Sequence, residues 1–469
     1  MKLSGLSRVA VGLLLVPSKA AAGSSNSSAP IIDLGYAKYA GYTNETAGIN
    51  YYRGIKYASA PTGRLRWEKP SPVEADPTFT GQTIQATTQA PACIQGVPEW
   101  AVQALASFVQ LPQGQSEDCL ILDVLVPSKP TSKNLPVMVQ IHGGGYTTGS
   151  SLSAPGDAMV HASKGGLIYV AIQYRLGIFG FLGGSEVKKN GVQNAGLYDQ
   201  RAALEWVQRH ISAFGGDPSK VTIWGGSAGG GSVTYQLMAA GGFGSPPFRA
   251  AIAEYPWWQP LLNASTQELQ YDLTLQAFGC RDLNCLRGLS SEDMVAPGQA
   301  LYNTSYPGTG YGYGSFWFGP VVDGDFLRDL PDVAFKKGDY HQVPIIVDRE
   351  GYEGVVFSNS SQISQIEETI EFLNSNVTDW PSANNQTLAA IMTSYWISFA
   401  TTMDPNPLRV AEAPYWPSYT ADGAGTAAEG ESVGFEVLDI TYGGIQSVDD
   451  PDASVQCEFF SNKGYTLRN

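Results

Sequence analysis

Histidine is scarce in this chain: four in 469 residues, at His142, His161, His210 and His341. No Cys-x-x-Cys or Cys/His spacing occurs, so no metal is expected. Positive charge is also short. Lys and Arg number 28 against 43 Asp and Glu, a formal charge of −15, and the isoelectric point is near 4.7. Such a surface repels phosphates, which excludes nucleic acid as a partner and disfavours anionic membranes. No apolar run reaches the length of a bilayer span, so no stable membrane insertion is expected. A nucleotide site is disfavoured too. No strand leads into a G-x-G-x-x-G fingerprint with a downstream acid, and the longest glycine run lacks a G-K-[ST] ending.

What the chain does contain begins with a secretory signature. Lys2 and Arg8 precede an apolar stretch from Val9 to Val16, and Ala20-Ala21-Ala22 offers a cleavage site. Residues 1–22 are therefore read as a signal peptide, and 23–469 as a single domain of a secreted, extracellular protein. N-x-S/T sequons begin at Asn26, Asn44, Asn263, Asn303, Asn359, Asn376 and Asn385, as a glycoprotein would carry. Five cysteines in an oxidising compartment are expected to pair. Cys280 with Cys285 would close a small loop and Cys93 with Cys119 a larger one, leaving Cys457 over.

The chain is organised around Val221-Thr222-Ile223-Trp224-Gly225-Gly226-Ser227-Ala228-Gly229. Strand-forming residues run into a Gly-x-Ser-x-Gly turn, and small residues start a helix beyond it. That is the pattern of a nucleophile elbow. Ser227 would protrude from a strained turn, and the helix N-terminus beneath it would face a developing oxyanion. Upstream, Val137 to Ile141 is a buried-strand run that enters His142-Gly143-Gly144-Gly145-Tyr146. Consecutive glycines after such a strand present backbone N–H groups, which can also hold an oxyanion.

Residues 166–175 form another apolar strand, and Ala203, Leu204, Val207 and Ile211 fall on one face of a helix from Tyr198. Strands and helices thus alternate as in a mostly parallel sheet covered on both faces. Residues 248–320 are aromatic without a clear period and are expected to be helical insertions capping the sheet. The aromatics in 95–115 and 255–318 suit either the wall of an apolar gorge or the core of those insertions. Val343 to Val347 is expected to be a further buried strand. It is followed by the acidic run Asp348-Arg349-Glu350-Gly351-Tyr352-Glu353, where open α/β sheets place their sites. An amphipathic helix carrying Ile391, Tyr395, Trp396 and Phe399 comes later, and the tail after 420 is a poor core builder.

These motifs together resemble the type-B carboxylesterase/lipase family, the cholinesterase-like α/β-hydrolases, most closely the secreted fungal members. The matching stretches are RGIKYASAPTGRLRW from Arg53, SEDCLILDV from Ser116, HGGGYTTGS from His142 and QYRLGIFGFL from Gln173. They continue with NAGLYDQRAALEWV from Asn194, FGGDPSKVTIWGGSAGGGS from Phe214 and SYWISFATTMDPNP from Ser394. The resemblance implies an α/β-hydrolase fold and hydrolysis of small or lipid-like carboxylic esters without a cofactor. It implies Ser227 as nucleophile, the N–H groups of Gly144, Gly145 and Ala228 as oxyanion hole, and Glu353 of Glu353-Gly354-Val355-Val356-Phe357 as the acid. Glu350-Gly351 is a second register, lacking the spaced phenylalanine. The family's two disulfides correspond to Cys93–Cys119 and Cys280–Cys285. Gly226 departs from the glutamate that many members carry before the serine.

A larger departure concerns the base. In this fold the order is Ser, acid, His, and no histidine follows Glu353. The family carries that histidine between the E-G-x-x-F segment and the later helix. Here only Ser358 to Gln386 separates them, so an internal deletion between about 358 and 390 and a truncated C-terminal part are expected, with impaired activity. The competing reading is a non-catalytic secreted binding or adhesion protein on the same scaffold. His142, beside the glycine loop, is expected to brace that loop.

Overall fold

The structure, a computed structural model, describes residues 26–104, 112, 114–302, 316–348, 386–416, 425–426, 432–433, 436–441 and 444–449. The leader, Glu350, Glu353, the 358–385 stretch and Cys457 lie outside the described residues.

A ten-stranded mixed sheet forms the centre. Its strands are β1 (Asn26–Asp33), β2 (Lys38–Asn44), β3 (Ile49–Lys56), β4 (Thr83–Gln85), β5 (Ile121–Pro127), β6 (Leu135–Ile141), β7 (Ile168–Ile172), β8 (Gly216–Gly226), β9 (Ala250–Glu254) and β10 (Ile345–Val347). Spatially they run β1-β2-β3-β5-β7-β6-β8-β9-β10, with β4 beside β2. The path from β1 to β7 is antiparallel, whereas β7-β6-β8-β9-β10 is parallel. The half that carries the elbow is therefore the parallel half, whose strands all end on the same side.

β5, β6 and β7 are buried at every position, which explains their uninterrupted apolar sequence. One face packs against the helices Ala195–His210 and Ala228–Met238 through Leu204, Val207, Val233 and Leu237. On the other face, Met138, Tyr169 and Ile252 meet Ile391, Tyr395, Trp396 and Phe399 of the helix Gln386–Thr402. These four helix residues are buried, as their spacing predicts. Burial of such large side chains contributes roughly 1.5–3 kcal/mol each.

Residues 248–320 do supply capping helices, Ala264–Ala277, Leu283–Gly288 and Ser291–Leu301. They also supply β9, a five-residue strand hidden by its alanines. β10 is shorter and more exposed than the apolar run from Val343 predicts. Ile346 is buried, but Ile345 and Val347 are 40% and 53% exposed, because β10 is the last described strand at that edge. The tail contains a hairpin, Glu436–Thr441 with Gly444–Asp449.

Both expected disulfides, Cys93–Cys119 and Cys280–Cys285, are present. Two buried ion pairs fix the layers around them. Arg66 donates to Glu117 through Nε at 2.7 Å and Nη2 at 2.5 Å, and its Nη1 reaches the carbonyls of Leu286 and Leu289. The C-terminal end of the helix Leu283–Gly288, which starts within the Cys280–Cys285 loop, is thereby tied to the segment that leads into β5. Arg175 donates to Asp199 from its backbone N, Nε and Nη2 at 3.0, 2.7 and 2.7 Å. Among the described residues, no helix is long and apolar enough to cross a membrane.

Candidate active site

β8 ends at Gly226, and the next helix starts at Ala228. Ser227 alone makes the turn, with φ 57° and ψ −126°, a conformation a non-glycine residue holds only when its surroundings impose it. They do so through the backbone. Ser227 N donates to Glu254 O at 3.1 Å, while Ser227 O accepts from Gly231 N at 2.9 Å and Trp257 N at 3.0 Å. The first helical N–H groups have no partner within a helix, and they start here. Ser227 is half-buried and Ala228 fully buried. The elbow expected from the sequence is thus formed.

The glycine loop follows β6, and β6 is the direct neighbour of β8, with Val139 opposite Ile223 and Gln140 opposite Trp224. The loop and the elbow must therefore meet. A Cβ placed on Gly143 would lie 2.6 Å from Gly226 O and 3.3 Å from Ser227 Cβ. The orientation of the loop peptides is set from behind. Gly143 O accepts from His142 Nδ1 at 2.9 Å. Gly144 O accepts from Thr147 N, Thr148 N and Thr148 Oγ1 at 3.1, 2.9 and 2.9 Å. In a planar trans peptide the N–H points opposite to the carbonyl. The N–H groups of Gly144 and Gly145 are therefore turned away from His142 and Thr148.

All four histidines are described. His142 is buried, stacked on Tyr174 with ring centroids 4.4 Å apart. Burial pushes its pKa down to about 4, partly offset by the Gly143 carbonyl. The ring is neutral at pH 7, and because a carbonyl only accepts, Nδ1 carries the proton. His142 thus braces the loop. His161 is exposed on the helix Asp157–Ala162. His210 Nε2 sits 2.6 Å from Glu74 Oε1, at the far end of the helix Ala195–His210. His341 packs edge-on to Phe248 before β10. Among the described residues, no histidine hydrogen-bonds Ser227.

An aromatic wall covers the glycine loop. Phe316 lies edge-on to Trp100 at 5.1 Å and to Trp257 at 5.4 Å. Tyr146 donates to Trp257 O at 3.0 Å. The sequence had left these aromatics open between wall and insertion core. They meet over Gly145, whose Cβ would fall 2.5 Å from Phe316 Cε1, and Trp100 and Phe316 are buried with Val97 and Ala101 in a small core, so the same residues form insertion core and cover the loop.

One residue escaped the sequence reading altogether. Tyr255 follows β9 with φ 32°, and its ring lies against Gly226, whose Cβ would overlap the hydroxyl and stand 2.6 Å from Cζ. The signal was Gly226 itself, where a glycine replaces a larger side chain because a neighbour has taken its space. Among the described residues, no group of His, Cys, Asp and Glu could hold a metal ion.

Comparisons with known proteins agree with this architecture. A model of the carboxylesterase family matches residues 28–381. The chain is 38% identical over 347 residues to carboxylesterase patB of Penicillium expansum, covering 64% of this chain and 61% of that protein. It is 34% identical over 384 residues to the secreted triacylglycerol lipase LIP1 of Gibberella zeae, covering 75% and 63%. The chain thus spans about three fifths of the length of these curated relatives. Among solved structures, Aspergillus niger EstA superposes with a TM-score of 0.73 at 27% identity, over 94% of this chain and 98% of that one. A thermophilic PNB esterase shares the fold, with a TM-score of 0.74 at 24% identity over 92% and 99%. By the match of its sequence to the family model and of its fold to the esterases, the chain belongs to the carboxylesterase family.

Proposed function

We propose that this protein is a secreted carboxylic ester hydrolase acting through Ser227, with activity impaired by the lack of a triad histidine. The observation that carries the reading is the backbone of Ser227, held at φ 57° and ψ −126° against the glycine loop. Ser227 adds to the ester carbonyl carbon, and the N–H groups of Gly144, Gly145 and Ala228 take the oxyanion. Glu353 is the acid, and the histidine it would orient is missing from the 358–390 region of a single domain spanning 23–469. Removing a triad member leaves roughly 10³–10⁴-fold catalysis over water from the hole and binding. Small or lipid-like esters fit the uncharged aromatic wall. The sequons at Asn44 and Asn263, both at partly exposed positions, are proposed to carry glycans, read as a mobility shift on peptide-N-glycosidase treatment.

The positions of the four histidines favour a second reading, a secreted binding protein that keeps the scaffold without turnover. Turnover of p-nitrophenyl butyrate by the folded protein beside Ser227→Ala separates the two. A slow, serine-dependent rate supports the first. Equal rates for both proteins reject it. Sequencing the transcript across residues 358–386 then tests the deletion, and an uninterrupted message identical to this chain would reject a damaged gene model.

A further inference from the structure

We infer that Tyr146 is the positioning residue that keeps the two parts of the oxyanion hole in register, through its hydroxyl bond to the Trp257 carbonyl. This rests on Ser227 being the nucleophile and on the N–H groups of Gly144, Gly145 and Ala228 forming the hole. Those donors sit on two separate elements. Gly144 and Gly145 belong to the loop after β6, and Ala228 opens the helix after β8. Adjacent strands bring the two elements together, but groups that act on one transition state must be held to within about 0.5 Å.

Tyr146 directly follows Gly145, and its hydroxyl donates to Trp257 O at 3.0 Å. Trp257 N donates in turn to Ser227 O at 3.0 Å. That carbonyl shares its planar peptide with Ala228 N, so fixing the oxygen fixes the direction in which Ala228 N–H points. One phenol therefore joins the glycine loop to the residue that aims the elbow's own donor. Space is made for this junction. A Cβ on Gly231, in the first turn of the helix Ala228–Met238, would overlap both the Tyr146 hydroxyl and Trp257 O. Tyr146 is fully buried, with its ring centroid 5.5 Å from that of Phe181 and 5.9 Å from that of Trp257. Its φ of 62° is a left-handed conformation uncommon for an aromatic residue. Such a backbone persists where the surroundings over-determine it, here also through Gly177 N, which donates to Tyr146 O at 2.8 Å.

Tyr146 acts through the backbone and touches no reacting atom. The hole is used when negative charge gathers on the ester carbonyl oxygen, and its three donors then have to converge on one point. With the phenol bonded to Trp257 O, the Ser227–Ala228 peptide is held against the loop that carries Gly144 and Gly145. Without that bond, loop and elbow keep their own folds but shift past each other. A substrate in its ground state carries no such charge and loses little. The signature of this role is a fall in kcat at preserved KM, as for any contact made only in the transition state.

The test compares the secreted protein with Tyr146→Phe, Tyr395→Phe and Ser227→Ala, each checked for folding by circular dichroism. Tyr146→Phe keeps the ring and removes only the hydroxyl. Tyr395→Phe is the structural control, because its buried hydroxyl also donates to a backbone carbonyl, Pro414 O at 2.6 Å, on the other face of the sheet. Turnover of p-nitrophenyl butyrate and affinity for butylboronic acid are measured for all four. The boron bonds to Ser227 Oγ, the hydroxyl proton passes to water, and the tetrahedral adduct places an oxygen in the hole as the transition state does. The expected result is a kcat roughly 10–100-fold lower in Tyr146→Phe at unchanged KM, a boronate affinity reduced by the same factor, and neither change in Tyr395→Phe. Values equal to the parent's in Tyr146→Phe, or equal losses in Tyr146→Phe and Tyr395→Phe, overturn the role of Tyr146 while Ser227 stands as nucleophile. A rise in KM with kcat preserved also overturns it, assigning the phenol to binding. A Tyr146→Phe that does not fold overturns it too, assigning the phenol to the core. If the parent turns over no ester, boronate affinity decides by the same criteria. Turnover and boronate binding that Ser227→Ala keeps in full, or a folded parent that shows neither, overturn the nucleophile reading and this inference with it.

Discussion

Gly145→Ala is expected to destabilise the protein by more than its backbone conformation alone explains. Gly145 has φ 62°, and an L-residue in the left-handed region loses roughly 1–2 kcal/mol. To this is added a clash, since the new Cβ would stand 2.5 Å from Phe316 Cε1. Phe316 cannot swing aside, because it is buried and wedged edge-on against Trp100 and Trp257. Overpacking of this kind adds roughly 1–3 kcal/mol, about 2–5 kcal/mol in all. Gly244→Ala is the control. Gly244 has φ 81° with nothing within 4 Å of its Cβ position, so only the conformational part of about 1–2 kcal/mol applies. Urea unfolding of the two variants and the parent, in one buffer, reads the difference directly. Equal midpoints for the two variants would refute the claim that Phe316 is locked over the glycine loop. If the loop is the oxyanion hole, Gly145→Ala also lowers serine-dependent turnover by roughly 10²–10³-fold, whereas Gly244→Ala leaves it unchanged.

Acid sensitivity is expected from His142. Its folded pKa of about 4 lies below the ordinary 6.5 because of burial, so the unfolded chain takes the proton first as pH falls. The associated stability is full above pH 6.5 and is lost as pH drops to about 4, roughly 3 kcal/mol over the whole window. Urea midpoints at pH 7 and pH 5 for the parent and His142→Gln test this, and identical pH dependence in both would count against it. Asp199→Ala removes the partner of Arg175, with both groups buried. A loss of about 3–5 kcal/mol is expected because the guanidinium is left uncompensated. A drop below about 1 kcal/mol in calorimetry or urea unfolding would show that water reaches Arg175.

The central half of the molecule was legible because its sequence signals are local. Continuous apolar runs marked β6 and β7, the strand-forming residues Val221–Trp224 marked the last part of β8, and Gly-x-Ser-x-Gly marked the turn at Ser227. The helix bearing Ile391, Tyr395, Trp396 and Phe399 was legible from its 3.6 period. β9 was not, because Ala250-Ala251-Ile252-Ala253-Glu254 is strand only by virtue of lying between β8 and β10, a tertiary override of weak propensity. β10 was read as buried because an apolar run looks alike at the centre and at the edge of a sheet. The aromatic wall draws Trp100, Trp257 and Phe316 from three distant segments, and no local pattern encodes such a meeting. Gly226 was visible as a departure, but the phenol that occupies its space was not, since Tyr255 is placed by the end of the unrecognised strand β9.

The two halves of an α/β-hydrolase site do not share the same support, and this chain separates them. The nucleophile turn and the glycine loop grow from β8 and β6, adjacent central strands with helices on both faces. Their geometry is fixed by the core, and the carbonyl contacts of Gly143 and Gly144 complete it without any catalytic side chain. The end of β10 has only Ile346 buried, with Ile345 and Val347 exposed to solvent. Loss of a histidine-bearing segment beyond β10 would therefore leave Ser227 and the glycine loop standing, since neither draws its shape from that side. On the proposed reading, this independence lets the oxyanion-binding half persist where the base is missing.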